Sequence, residues 1–95
     1  MDTATLPADA RPRLSPHYVF RWEESQSAFI LLYPEGLIKL NASAGAILAR
    51  CDGARTLATI IAELQASYPA QGAEIADGVR AFVDLACDKG WLRAA

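Results

Sequence analysis

Between Tyr18 and Tyr33 the apolar residues are spaced for strands and not for helices, and this limits what the chain can become. Tyr18, Phe20 and Trp22 alternate with Val19, Arg21 and Glu23, the period of a half-buried strand. After the polar turn Glu24–Ser27, the run Ala28–Tyr33 is continuously apolar and rich in residues that suit a pleated surface, as expected of a central strand covered on both faces. Pro34-Glu35-Gly36 then reverses the chain, Pro fixing φ and Gly supplying a positive φ where one is needed. A third strand follows from Leu37 to Leu40, and short polar turns between three strands make an antiparallel meander.

From Asn41 onward the period changes to that of helices. Asn41 is placed to cap a first helix, whose residues Ala44, Ile47, Leu48 and Cys51 recur at i, i+3, i+4 and i+7. Gly45 inside it costs up to about 1 kcal/mol relative to alanine, which points to close packing. Asp52-Gly53 is read as its left-handed end. Thr56 caps a second helix with the face Leu57, Ile60, Ile61, Leu64 and Tyr68, and Pro69 ends it. A third helix runs from about Ala73 to Lys89, closed by Gly90, with Trp91-Leu92 folding back on the core. The fold class expected is α+β, a three-stranded antiparallel β-meander followed by three α-helices in a winged-helix-like arrangement. Residues 1–14, with Pro7, Pro12 and no periodicity, read as a flexible tail, and residues 15–95 as one domain.

Composition removes several function classes. Of the 53% hydrophobic residues 19 are alanine, and the 31 larger ones still suffice for one compact core. Nine basic against 11 acidic residues leave a net charge of −2, and Leu57–Tyr68 holds no Lys or Arg. A helix that must meet phosphates needs those cations, so no nucleic-acid partner is expected. No apolar run approaches the 18 or so residues that span a bilayer, and the start of the chain lacks the pattern of a signal peptide; a soluble, cytoplasmic protein without a membrane partner is the expectation. Phosphate-loop, dinucleotide, zinc-protease and nucleophile-elbow motifs are all missing. With His17 as the single histidine, Cys51 and Cys87 cannot complete a usual four-ligand metal set, and they read as buried hydrophobes. No catalytic residue, metal or cofactor is expected, and the chain is read as not an enzyme.

Two features point to binding instead. The third strand, Leu37, Ile38, Lys39 and Leu40, is a sheet edge unless something covers it, and its unpaired N–H and C=O groups could accept another strand. In the third helix Ile75, Val79, Phe82, Leu85 and Ala86 form a core face, beside which lies a shoulder of Ala76, Val83 and Cys87 bordered by Arg80 and Asp84. That stripe is wider than a single core-facing helix needs. Either the shoulder packs on another element, or it walls a groove along the open edge and takes the side chains of an added strand.

Several ordered segments resemble the PqqD family: Arg13-Leu14 with Pro16-His17-Tyr18, then Leu31-Leu32-Tyr33-Pro34-Glu35-Gly36 and Lys39-Leu40-Asn41. Ile47-Leu48 with Cys51-Asp52-Gly53, Arg55-Thr56, Tyr68-Pro69 and Gly90-Trp91-Leu92 continue the likeness to about residue 92. Gly45 and Gly78, inside helices, are mild departures. The resemblance implies a role in pyrroloquinoline quinone (PQQ) biosynthesis. The chain would bind the ribosomally made precursor peptide PqqA and deliver it to the radical SAM enzyme PqqE, which cross-links a Glu and a Tyr in it. It also implies that the peptide adds as a strand beside the third strand, against the third helix. The competing expectation is a non-catalytic protein-interaction or dimerisation domain of winged-helix type that binds only a protein partner or itself, since an open edge can also pair with its symmetry mate.

Overall fold

A computed structural model of the protein describes residues 6–94. The meander expected from the alternating pattern is present as β2 (Val19–Glu23), β3 (Ala28–Tyr33) and β4 (Gly36–Lys39), in the order β2-β3-β4. Its register pairs Phe20 with Leu31 and Leu31 with Ile38, so these three side chains form one row on the inner face. The flanking row Arg21–Ile30–Lys39 belongs to the outer face. Both Ile30 and Leu31 are buried, as the uninterrupted apolar run of β3 requires. Pro34-Glu35 alone makes the β3–β4 turn: Gly36 already pairs with Tyr33, and the positive-φ glycines are Gly53 and Gly90.

Helices α1 (Ala42–Leu48), α2 (Leu57–Ser67) and α3 (Gly72–Asp88) follow. Asn41 and Thr56 cap the first two as expected, their side chains accepting from the N–H of Ala44 and of Thr59. Helix α1 is shorter than its apolar spacing implied. It stops at Leu48, and the Asp52 carboxylate instead accepts from the N–H groups of Ala54 and Arg55 in the link to α2. Those bonds hold the Asp52 carboxyl below its ordinary range. Glu63 of α2 ties the link down by accepting from both Arg50 and Arg55, each at 3.1 Å. Gly90, at φ 81°, ends α3 and returns the chain to the core.

The expected tail differs from what is seen. Residues 1–5 of it lie outside the described residues. Pro12–Leu14 form a strand, β1, paired antiparallel with β5 (Leu92–Ala94). The same segment satisfies backbone groups elsewhere, since Leu57 N–H donates to the Ala10 carbonyl at 2.8 Å and Gly53 N–H to that of Pro12 at 3.0 Å. Pro12 suits this place because its missing N–H leaves nothing to satisfy where the residue is buried.

Leu31, Leu57, Ile60, Val79, Val83 and Ala86 form the centre of the core, each almost wholly withdrawn from water. A fully buried aliphatic side chain of this size contributes about 1.5–3 kcal/mol. Helix α1 approaches the sheet most closely at Gly45, where a Cβ would lie 2.6 Å from Cδ2 of Phe29. The helix cost of glycine is about 1 kcal/mol; forcing a methyl against that ring costs about 1–3 kcal/mol, so packing decides the residue. Gly45→Ala is therefore expected to lower stability by up to about 2 kcal/mol in denaturant titration, against the usual gain of a Gly→Ala change in a helix.

Candidate functional site

Strand β4 is an edge of the sheet, and the direction of its N–H groups follows from one bond. Leu40 N–H donates to the Phe29 carbonyl at 3.0 Å. N–H groups alternate along an antiparallel strand, so those of Ile38 and Leu40 point into the sheet. Those of Leu37 and Lys39 point out of the open edge. The side chains alternate too: Ile38 shares the inner row with Leu31, while Leu37 and Lys39 share outer rows with Leu32 and Ile30. An incoming strand would thus find two outward donors, at Leu37 and Lys39, flanked by the inward-facing Ile38 and Leu40.

Beside this edge runs a groove of about 410 Å³. Ile38, Lys39 and Leu40 form its β4 side, Phe82 and Leu85 of α3 its opposite wall, and Ala44 and Ile47 of α1 its floor. Trp91 closes one end, its ring 6.4 Å from that of Phe82. Leu85 is 46% exposed and so leaves apolar surface on this wall. Neither this groove nor a neighbouring cavity between the helices is lined by residues of β2, the other sheet edge.

Of the residues singled out from the sequence, Ile38, Lys39 and Leu40 line the groove, whereas Leu37, 55% exposed, belongs to the opposite face of the sheet. One α3 assignment needs correction. Val83 is wholly buried in the core and cannot wall a groove. Ala76 and Cys87 pack against that core, and Arg80 and Asp84 are half-buried beside them; none of the four lines the groove. The wall is made by Phe82 and Leu85, which the apolar spacing had placed in the core face. At about 100° per residue, Val79, Val83 and Ala86 define the buried centre, with Phe82 and Leu85 on one flank and Ala76 and Cys87 on the other. Periodicity reveals a wide stripe but not which flank meets the sheet edge. The one sequence signal available was the size of Phe82 and Leu85 against the small residues of the other flank.

The chemistry at hand is that of backbone donors and apolar surface. Among the described residues no group of three or more His, Cys, Asp or Glu side chains gathers as a metal site would. Burial pushes the Cys51 thiol up to about 12, helped by nearby Cys87 and Asp52, and Cys87 is raised by burial and by Asp84. Both thiols therefore stay protonated and poorly nucleophilic near neutrality.

Residues 28–92 match the family model described as Coenzyme PQQ synthesis protein D (PqqD). A PqqA binding protein of Stutzerimonas stutzeri is 45% identical over 85% of this chain and 87% of its own length. One of Methylococcus capsulatus is 42% identical over 94% of each. Among solved structures, the PqqD truncation of Methylobacterium extorquens PqqCD aligns with a TM-score of 0.77 and 30% identity, covering 96% of both chains. That truncation is a functional, stand-alone RiPP recognition element, a RiPP being a ribosomally synthesised and post-translationally modified peptide.

The buried centre of α3 and its exposed flank make an internal contrast. Val83→Asp puts an unpaired charge into the core and is expected to cost about 3–5 kcal/mol. Leu85→Asp, on the exposed groove wall, should leave the thermal midpoint within a few degrees of the unsubstituted protein. Circular dichroism melts of the two variants check this.

Proposed function

The chain belongs to the PqqD family, and from that premise we propose that it binds the precursor peptide PqqA and presents it to the radical SAM enzyme PqqE in PQQ biosynthesis. The peptide adds as a strand along β4, its side chains entering the groove against α3. The observation that carries this reading is the coincidence of two outward N–H groups, at Leu37 and Lys39, with an apolar groove along the same edge. The names of the relatives support the peptide's identity, and the recognition-element structure supports a recognition role. Delivery to PqqE rests on the family resemblance.

Relative magnitudes assign the parts of the site different work. A net backbone hydrogen bond contributes about 0.5–1.5 kcal/mol, and a buried Leu-sized side chain about 1.5–3 kcal/mol. The edge therefore sets register and direction, and the groove supplies most of the affinity and the choice of side chain. The protein itself contributes no reacting group in this reading; the cross-linking chemistry belongs to PqqE.

Proline scanning of β4 tests the strand mode. Pro at Leu37 or Lys39 removes an outward N–H, is tolerated at an edge, and should weaken binding of synthetic PqqA about three- to tenfold. Lys39→Ala controls for the lost side chain. Pro at Ile38 or Leu40 removes a bond to β3 and should lower the melting temperature. Folded Leu37→Pro and Lys39→Pro variants that bind PqqA at unchanged affinity by calorimetry would rule out strand addition here.

A further inference from the structure

Beyond the groove, α3 carries a second opening. Along the helix, Ile75, Gly78, Phe82 and Leu85 lie on one stripe, at spacings of three and four residues. Phe82 and Leu85 wall the β4 groove; Ile75 and Gly78 line a separate cavity of about 380 Å³ between α1, α2 and α3. The two share Ser43 and Ile47 of α1, so one furrow passes from the end of β4 over α1 and along α3.

Gly78 is the telling residue. It sits in the middle of a 17-residue helix, where glycine is unfavourable relative to alanine. Unlike Gly45, it has no packing reason: a Cβ there would meet nothing within 4 Å, and its φ is not among the positive ones. Nothing within the folded chain requires the missing side chain. What its absence does is keep this cavity open.

We propose that the cavity beside Gly78 is a second socket for the bound precursor peptide, taking an apolar side chain that lies beyond the strand paired with β4. The proposal rests on the peptide-binding reading above and adds to it a specificity site. The walls, Ala46, Ile47, Leu64, Ile75 and Val79, are apolar. The rim holds Tyr68, Gln71 and Glu74 and no Lys or Arg, so a carboxylate is disfavoured there and an uncharged residue favoured. Tyr68 was expected on the core face of α2; instead α2 ends at Ser67, Tyr68 leaves the helical path at φ −134°, ψ 66°, and its side chain is 54% exposed at this rim. The spacing suits one continuous peptide. Gly78 and Leu85 are seven residues apart, about 10 Å of helix, which an extended chain covers in about three residues. Side chains of an extended chain return to one face every second residue, so the socket reads the peptide residue two or four positions past the one held at Leu85, on the side toward Asn41.

The test fills the socket while leaving the edge intact. Gly78→Ala and Gly78→Leu should melt at or above the temperature of the unsubstituted protein, because the Cβ points into open space and both residues are better helix formers. Affinity for synthetic PqqA should fall with side-chain size, at least tenfold for Gly78→Leu. An alanine scan of the apolar residues of PqqA should then find one whose loss weakens binding to the unsubstituted protein but not to Gly78→Leu, the coupling expected of groups that share one space. Unchanged affinity in both Gly78 variants overturns the socket. If at the same time Lys39→Pro loses affinity, strand binding stands and only the socket falls. If the unsubstituted protein does not bind PqqA at all, both readings fall together.

Discussion

How deeply helix α1 can settle on the sheet governs the shape of the groove beside β4. Gly45 lets the helix lie against the ring of Phe29, which is itself stacked with Phe20 at 4.8 Å and met edge-on by Trp22 at 5.2 Å. This aromatic platform comes directly from the alternation along β2 and from the register that sets β2 against β3. Because α1 sits low, Ala44 and Ile47 become a floor instead of a ridge, and α3 passes on the far side of an open channel. The Asn41 cap matters for the same reason: it turns the chain from strand to helix within two residues of Lys39, so β4 stays short and its outer edge is not covered by its own continuation.

On the proposed reading, such an arrangement lets an edge strand and an apolar channel be selective for one peptide. Backbone donors at an edge recognise any extended chain, whatever its sequence. Discrimination must come from the side chains that the channel admits. Here the channel is apolar along its length, with aromatic closure at Trp91 at one end and a rim carrying Glu74 at the other. The core is insulated from this surface: Val83 and Ala86 hold α3 in place while the neighbouring Phe82 and Leu85 remain available. On the proposed reading, stability is carried by the buried centre of the helix and recognition by one flank.

Much of this was legible in the sequence, for physical reasons that also mark where legibility ends. The alternation from Tyr18 to Glu23, the apolar run Ala28–Tyr33 and the caps Asn41 and Thr56 are local signals, and the elements they announce are present. The β1–β5 pair was not legible. Each strand has three residues, too few to show a period, and the partners are separated by almost the whole chain. The two helix glycines looked alike as departures from helix propensity; only coordinates separate Gly45, pressed on a ring, from Gly78, facing empty space. The orientation of α3 failed differently. A wheel gives relative angles within one helix, but the direction of the sheet edge is a tertiary fact, and with apolar residues on both flanks the sequence held no asymmetry strong enough to choose.

On the proposed reading, β4 offers its Leu37 and Lys39 N–H groups to a bound peptide strand. Residue-resolved amide hydrogen exchange, with and without saturating synthetic PqqA, tests it most directly. In the free protein Ile38 and Leu40 should exchange slowly, while Leu37 and Lys39 exchange fast, as unpaired edge donors do. Saturation with PqqA should slow Leu37 and Lys39 markedly and leave the inner pair nearly unchanged. Fast exchange at both positions in a protein demonstrably saturated with peptide would contradict the account and move the binding surface elsewhere.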